Sequence, residues 1–249
     1  MIFRKAILIV HGFAGGTYDE EELANFLELN PFYDVFQFTL PGHKTNLSKV
    51  KYEQWIDASK NQIEWLIENG YKNIYVIGHS MGGVIATYLA ATYKEVKKLI
   101  LAAPAFQYLI MENEKINVTK SLKSTPGIVK TYGIEEIFGR ILKLNPSAVK
   151  EFMNLVKEYY NCPKDVSCPI LIIQGKKDNI VRTSSSKYVY NSVKSKVKKI
   201  VYVNDLTHDV FYSKRSNEIY NIILKFLKNS ESGEFTIWQK KNQEKLYLN

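Results

Sequence analysis

A serine stands in a glycine-framed turn at residues 78–82, which read G-H-S-M-G. The apolar run 74–77 precedes this pentapeptide and a helical pattern follows it, so it fits a G-x-S-x-G turn between a strand and a helix. Ser80 on such a turn needs strained backbone angles, and Gly78 and Gly82 leave room where strand and helix crowd together. We predict that Ser80 is a nucleophile. An incidental serine in a structural turn is the alternative.

A serine hydroxyl needs a neighbouring base, and that base needs a partner that fixes its tautomer. Of the four histidines, His11 and His43 follow early apolar runs, and His79 adjoins the serine and is expected to point away from it. His208 follows the last apolar run, 200–203, in a loop. We therefore predict that His208 is the general base.

The candidate acid is Asp178, which follows the apolar run 170–173. This position places it at the same edge of a parallel sheet as Ser80 and His208. Asp205 and Asp209 flank the histidine and remain minor alternatives, because neighbours of that kind rarely orient the same ring. The chain order is Ser80, Asp178, His208, which separates this triad from those of the chymotrypsin and subtilisin types.

A site for the oxyanion is expected after the first apolar run, where residues 11–16 read H-G-F-A-G-G. Small residues let a backbone approach a ligand closely. We predict that the backbone NH groups of Phe13 and Met81 form the oxyanion hole. A phosphate-binding glycine loop is the weaker alternative, because neither G-x-G-x-x-G nor G-x-x-x-x-G-K is present.

The elements that must position these residues alternate between strands and helices. The predicted strands are continuous apolar runs, as expected for strands covered on both faces: 6–10, 35–38, 74–77, 99–101, 170–173 and 200–203. The predicted helices between them are 20–29, 53–68, 82–93, 184–193 and 216–227. This alternation predicts the α/β class, with a doubly wound, mostly parallel sheet of about six strands.

One interval lacks strand signals. Between the runs that end at 101 and begin at 170, helical spacing occurs at 134–144 and 147–160, which predicts a small helical cap insertion. The predicted domains are an α/β core of 1–104 and 168–230, a cap of 105–167, and a polar C-terminal tail of 231–249. Packing of the tail against the body and partial disorder of the tail remain equally open.

The charge distribution, the cysteines and the N-terminal run argue against a nucleic-acid-binding protein, a disulfide-stabilised protein and a secreted or membrane-spanning protein. The 249 residues include 34 Lys and Arg against 25 Asp and Glu, a formal net charge of +9. The densest basic stretch, 187–199, holds five lysines and is predicted to be a solvated helix face rather than a nucleic-acid site. Cys162 and Cys168 are expected to be free thiols. The N-terminal apolar run is shorter than a signal peptide needs, so a cytoplasmic location without an integral membrane span is expected.

Taken together, these motifs resemble the α/β-hydrolase superfamily, and within it the bacterial carboxylesterase and monoacylglycerol-lipase branch. The resemblance extends over about 7–227 and includes a loop at 40–43, which reads L-P-G-H. Lys44 follows this loop where relatives usually have glycine, so the loop is expected to differ. The resemblance implies the hydrolase fold, a Ser80, Asp178 and His208 triad, and a cap over the acyl pocket.

The activity that the resemblance implies is hydrolysis of carboxylic esters with short to medium acyl chains, monoacylglycerols being one candidate class. No cofactor or metal is implied, and the expected partner is a small-molecule ester, with the oligomeric state undetermined. The expected pocket residues are apolar residues of the cap: Phe138, Ile141, Leu142, Phe152, Met153 and Val156. Alternatives are a thioesterase or another serine hydrolase of this fold, a noncatalytic ligand-binding protein, and a basic membrane-surface protein.

Overall fold

A six-stranded parallel sheet forms the centre of the computed structural model, which describes residues 4–107, 111–112, 115–116 and 146–229. The strands are β1 (Lys5–Val10), β2 (Tyr33–Gln37), β3 (Ile74–His79), β4 (Val96–Ala102), β7 (Ile170–Gly175) and β8 (Lys198–Val203). Their order across the sheet is β2-β1-β3-β4-β7-β8, so the chain winds outward in both directions from β1. The doubly wound α/β sheet expected from the sequence is thereby confirmed.

Helices cover both faces of this sheet. They are α1 (Glu21–Glu28), α2 (Tyr52–Glu68), α3 (Met81–Thr92), α4 (Pro146–Tyr159), α5 (Thr183–Ser192) and α6 (Ser216–Lys228). Each lies within one or two residues of a predicted helix, which is the usual uncertainty of helix ends. The predicted helix 134–144 falls outside the described residues.

Two hydrophobic layers explain why the strands lack an alternating pattern. Successive side chains of a strand point to opposite faces of the sheet. In β1, Leu8 and Val10 pack into the layer covered by α2 to α5, whereas Ile7 and Ile9 pack into the layer covered by α1 and α6. Because both faces are buried, every position of β1 after Lys5 is apolar.

The interval before α4 differs from expectation. It contains β5 (Met111–Glu112) and β6 (Lys115–Ile116), which pair antiparallel. No strand was expected there, because two residues are too few to form a periodic pattern. The wider division into core, cap and tail remains a prediction.

The lysine-rich stretch 187–199 is not one helix face, so that prediction is wrong in part. Lys187 is exposed on α5, whereas Lys194 and Lys196 are exposed in the loop that follows, and Lys198 and Lys199 lie in β8. The helix ends at Ser192 because the next segment must turn to enter an edge strand of the sheet.

Within the described residues, no helix combines the length and the apolar character needed to cross a lipid bilayer.

Candidate active site

Ser80 lies between the end of β3 and the start of α3, in the backbone conformation that a sharp turn imposes. Its φ is 53° and its ψ is −116°, which is a strained region for a residue with a side chain. A Cβ on Gly78 would lie 2.3 Å from the carbonyl oxygen of Gly82, and one on Gly82 would lie 2.1 Å from that of Val10. Only glycine is therefore accommodated at both positions, for the crowding reason deduced from the sequence.

His208 reaches the serine from the loop after β8. Its Nε2 lies 3.0 Å from the Ser80 Oγ, and Ser80 is 7% exposed. When Nδ1 carries the ring proton, Nε2 has a free lone pair and can accept the proton of the hydroxyl. The structure thus brings the predicted nucleophile and base within hydrogen-bonding distance.

Asp178 completes a chain of three groups. Its Oδ2 lies 2.9 Å from the Nδ1 of His208, while its Oδ1 accepts hydrogen bonds from the backbone amides of Ile180 and Val181 at 2.9 and 2.8 Å. Burial by itself raises the pKa of this carboxyl, but the charge and hydrogen bond of His208 and the two amides together lower the pKa of Asp178 below its ordinary value. The carboxylate therefore stays ionised and holds the Nδ1 proton on the ring.

Gln174 is a further neighbour of this carboxylate that sequence reasoning did not identify. The residue is fully buried at the end of β7, and its Nε2 donates to the Asp178 Oδ2 at 3.0 Å. Its Oε1 accepts a hydrogen bond from the hydroxyl of Ser186 at 2.7 Å. An amide within an otherwise apolar strand was the available signal.

The alternative acids lie elsewhere. Asp205 forms an ion pair with Arg215 at 3.0 Å, and Asp209 is exposed. Across the described ranges, no cluster of three or more His, Cys, Asp or Glu side chains could hold a metal ion.

The predicted oxyanion loop follows β1, the strand next to β3. Val10 is in register with Gly78, and a Cβ on Gly12 would lie 3.3 Å from the Cβ of Ser80. Phe13 is the next residue of this loop, and Met81 is the first residue of α3. Amides in the first turn of a helix have no acceptor within the helix. Both predicted donors thus lie in segments that adjoin the serine.

His11 holds this loop in place. Its Nε2 accepts a hydrogen bond from the Leu40 amide at 3.0 Å, so Nδ1 carries the proton and donates to the Gly12 carbonyl at 2.8 Å. Burial lowers the pKa of His11 from 6.5 to about 4. The neutral ring suits both contacts, because a protonated Nε2 would face the Leu40 amide donor to donor.

Aromatic rings line one side of the oxyanion loop. Phe13 stacks on Phe152 of α4, with ring centroids 5.2 Å apart and ring planes 18° apart. Trp55 and His43 approach the same Phe13 ring edge-on, at 6.0 and 6.2 Å. Phe152, one of the predicted pocket residues, therefore contacts a residue of the predicted oxyanion hole.

The other predicted pocket residues have different positions. Met153 is partly exposed on α4, whereas Val156 is 5% exposed and packs into the core beside α2 and α3. Phe138, Ile141 and Leu142 lie outside the described residues.

His79 points away from Ser80, as its place in the turn suggested. Its Nδ1 lies 3.1 Å from the Oε1 of buried Glu20, and its Nε2 lies 3.1 Å from the backbone carbonyl oxygen of His208. Sequence reasoning did not identify Glu20, because this residue stands among several acidic residues at a helix start and nothing in that pattern distinguishes it.

Comparison with known proteins places the chain among hydrolases. Residues 3–215 match a family described as "Serine aminopeptidase, S33". A carboxylesterase of Bacillus subtilis (strain 168) is 23% identical over 231 residues, which cover 90% of this chain and 92% of the relative. A thermostable monoacylglycerol lipase of Bacillus sp. (strain H-257) is 22% identical over 210 residues, 81% of this chain and 82% of the relative.

A solved structure from work on the metagenome-derived lipolytic enzymes LipS and LipT has the same fold. It aligns with a TM-score of 0.71 and 19% identity, covering 90% of this chain and 94% of that one. The α/β-hydrolase fold expected from the motifs is therefore confirmed by a likeness that does not depend on those motifs alone.

Proposed function

Because the chain belongs to the hydrolase family described as serine aminopeptidase, S33, we propose that it hydrolyses carboxylic esters through an acyl-enzyme formed on Ser80. The observation that carries this proposal is the continuous hydrogen-bonded series of hydroxyl, imidazole and carboxylate, with separations of 3.0 and 2.9 Å. The similarity to a carboxylesterase and a monoacylglycerol lipase favours an ester over a peptide bond as the substrate.

In the first half of the proposed reaction, His208 Nε2 takes the hydroxyl proton as the Ser80 Oγ forms a bond to the ester carbonyl carbon. The carbonyl oxygen becomes an oxyanion, which the NH groups of Phe13 and Met81 stabilise by hydrogen bonds. The bond to the alcohol oxygen then breaks, and that oxygen takes the proton from Nε2. An alcohol leaves and the acyl group stays on the serine.

Water completes the cycle. His208 removes a proton from the water as its oxygen attacks the acyl carbon, and the same amides hold the second oxyanion. Collapse of this intermediate releases the carboxylic acid and returns the proton to the Ser80 oxygen. The lowered pKa of Asp178 supports its role here, because an ionised carboxylate favours the imidazolium that forms in each half-reaction.

We further propose that α4 and the neighbouring cap residues form the acyl side of the site. The stacking of Phe152 on Phe13 supports this, since it puts an apolar ring of α4 beside the oxyanion loop. Met153, Val156, Phe138, Ile141 and Leu142 complete the proposed pocket. Such a lining suits short to medium acyl chains, including those of monoacylglycerols.

The central test replaces the nucleophile. We expect Ser80→Ala to lower kcat for p-nitrophenyl esters by about 1,000-fold or more, because the acyl-enzyme cannot form. The esters would run from acetate to laurate, and a fluorophosphonate probe should label the wild type but not the variant. Ser184→Ala, on the exposed face of α5, is the matched control and should keep full activity and labelling.

Retention of ester hydrolysis by Ser80→Ala would eliminate the assignment. The substrate panel should include acyl thioesters and amino-acyl p-nitroanilides, which test the thioesterase alternative and the peptidase activity in the family description. Hydrolysis of either class faster than every ester would contradict the ester proposal and leave Ser80 as the nucleophile. Absence of labelling at Ser80 would instead favour a noncatalytic protein.

A further inference from the structure

A second imidazole and carboxylate pair lies directly behind the first. Glu20 ends a short 3-10 helix (Thr17–Glu20), and its side chain is fully buried. Its Oε1 lies 3.1 Å from the Nδ1 of His79, the last residue of β3. The mechanism proposed above makes no use of either residue.

The contact of His79 Nε2, on the side of the ring away from Glu20, fixes the position of one ring proton. His79 Nε2 is 3.1 Å from the carbonyl oxygen of His208, and a carbonyl can only accept a hydrogen bond. Nε2 must therefore carry a proton. Nδ1 then shares a second proton with Glu20, either as an imidazolium facing a carboxylate or as a neutral ring facing a carboxylic acid.

Both forms leave the pair without net charge, which suits its burial. The second Glu20 oxygen, Oε2, has no hydrogen-bond partner among the described residues, and a bare charged oxygen is costly in an apolar interior. Burial raises the pKa of Glu20. Burial opposes charge on His79, but the hydrogen bond and charge of Glu20 outweigh it and raise the pKa of His79. Both shifts favour retention of the shared proton.

Several ionisable groups among the described residues surround the pair, including Tyr18 and Tyr212, which interact electrostatically with Glu20. Asp19 adjoins Glu20 in the same short helix and acts on both members, His11 approaches from the loop after β1, and His208 approaches from the loop after β8. The ring of His79 is also fixed by packing, with its centroid 5.1 Å from the His208 ring and 5.5 Å from that of Phe211.

We propose that Glu20 and His79 are positioning residues for the general base, holding the backbone of His208 so that its ring meets Ser80. This inference rests on the proposed function, in which His208 removes the serine proton. Asp178 holds the ring of His208 at Nδ1, and the second pair holds its carbonyl, so both ends of the residue are anchored. His79 also precedes Ser80 directly in the chain. The contact of His79 with the His208 carbonyl therefore connects the backbones of Ser80 and His208, in addition to the hydrogen bond between their side chains.

The test compares apolar with amide replacements. Glu20→Leu removes the hydrogen bond that orients the His79 ring, and His79→Leu removes that bond and the one to the His208 carbonyl. We expect kcat to fall about ten- to a hundred-fold in both variants, with KM little changed, because a small displacement of a catalytic group carries a cost of this size. Glu20→Gln keeps a donor toward Nδ1, and His79→Gln keeps an NH near the position of Nε2. Both amide variants should retain kcat within about three-fold of wild type.

A packing role gives a different pattern. Removing one member of a buried polar pair is destabilising, so a purely structural role predicts leucine variants with normal kcat and lowered melting temperatures only. That result would overturn the proposal, as would equal losses of kcat in the leucine and glutamine variants. Glu21→Gln, the exposed neighbouring carboxylate on α1, should leave kcat and KM unchanged.

The rate of fluorophosphonate labelling separates this proposal from the ester assignment. It measures the reactivity of Ser80 without any ester, so the leucine variants should label about ten-fold more slowly even if the natural substrate is of another class. Wild-type labelling rates in these variants would contradict the positioning role.

Nitrogen NMR of the wild-type histidines tests the inference even if a variant fails to fold. We expect the His79 Nε2 to remain protonated between pH of about 5 and 9, since it donates to the His208 carbonyl. A His79 ring with an unprotonated Nε2 in this range would overturn the proposal.

Discussion

At the scale of single residues, Asp178 and His11 are each favoured in one protonation state by their surroundings. The carboxylate of Asp178 is kept ionised by His208 and two backbone amides. His11 is kept neutral by burial, with its tautomer set by the Leu40 amide. Residue type alone therefore does not determine what a histidine does here, because His11, His79 and His208 have three different sets of partners.

The lowered pKa of His11 predicts loss of stability in mild acid. The unfolded chain binds a proton at His11 near pH 6.5, whereas the folded chain does so only near 4. The contribution of neutral His11 to the free energy of unfolding is therefore fully present above pH 6.5. It declines as the pH falls toward 4, by about 3 kcal/mol in total. We expect the melting temperature of the wild type to decrease over this range, and ester hydrolysis with it, because the oxyanion loop loses its anchor.

His11→Gln isolates this contribution, because an amide does not titrate near these pH values. Its melting temperature should be lower than that of the wild type at pH 7, and the difference between the two proteins should shrink as the pH approaches 4. Calorimetry of both proteins at several pH values measures this difference in melting temperature. Parallel curves for the two proteins would show that His11 does not couple folding to pH.

At the scale of elements, a buried lysine joins the sheet to the last helix. Lys98 of β4 is 3% exposed, and its Nζ donates to the carbonyls of Phe226 and Leu227 at 2.9 Å each. It also donates to the carbonyl of Asn229, just beyond α6, and the ring of Tyr75 lies 5.3 Å away. The last carbonyls of a helix have no partner within it and carry partial negative charge, so this ammonium caps α6.

We expect Lys98→Met to lower the free energy of unfolding by about 1–3 kcal/mol, because the buried carbonyls at the end of α6 lose a charged donor. Lys97→Met is the matched control in the same strand. That side chain donates to the Lys94 carbonyl at an exposed position, so its loss should change stability by less than about 0.5 kcal/mol. Urea unfolding of both variants measures these changes in the free energy of unfolding. Equal losses in Lys98→Met and Lys97→Met would refute a capping role.

At the scale of the whole molecule, the candidate site is assembled along one edge of the sheet. The oxyanion loop follows β1, Ser80 follows β3, Asp178 follows β7 and His208 follows β8. The carboxyl ends of parallel strands all meet at this edge, which is where ligands bind in open α/β sheets. The cytoplasmic location, the absence of a nucleic-acid partner and the oligomeric state are not determined by this arrangement, and the first two remain predictions.

A buried carboxylate of α4 contacts the start of α2. Glu151 is 6% exposed, its Oε1 lies 2.9 Å from the Lys51 Nζ, and its Oε2 accepts from the Tyr52 amide at the start of α2. The lysine side chain is 71% exposed, so solvent screens the ion pair and little stability comes from it. Of the two contacts of Glu151, we therefore expect the hydrogen bond from the Tyr52 amide to contribute more to stability.

We expect Glu151→Ala to lower the free energy of unfolding by about 1–2 kcal/mol, whereas Lys51→Met should lower it much less, because solvent screens the exposed lysine. The alanine variant should also raise KM for the longer p-nitrophenyl esters more than for the acetate, since Phe152 is the next residue on α4. Denaturant melts and ester kinetics measure both effects. A larger loss in Lys51→Met would show that the ion pair, not the amide contact, fastens the helix.

The amino-acid sequence by itself determined the fold class, the turn that carries Ser80 and the chain order of Ser80, Asp178 and His208. These depend on short-range patterns: runs of apolar residues, glycines two positions from a serine, and loops that follow strands. The two-residue strands β5 and β6 and the ends of the lysine-rich stretch were not predictable, because pairing and chain reversal there depend on distant segments.

Only the tertiary structure decided which polar groups meet. The partners of His208 are 30 and 128 residues away in the chain, and Glu20 is 59 residues from His79. Hydrogen bonds act over about 3 Å, so their existence depends on how whole strands are placed side by side. A local sequence pattern does not encode such a distance, which is why the contacts of Gln174 with Asp178 and of Glu20 with His79 are seen only in the assembled sheet.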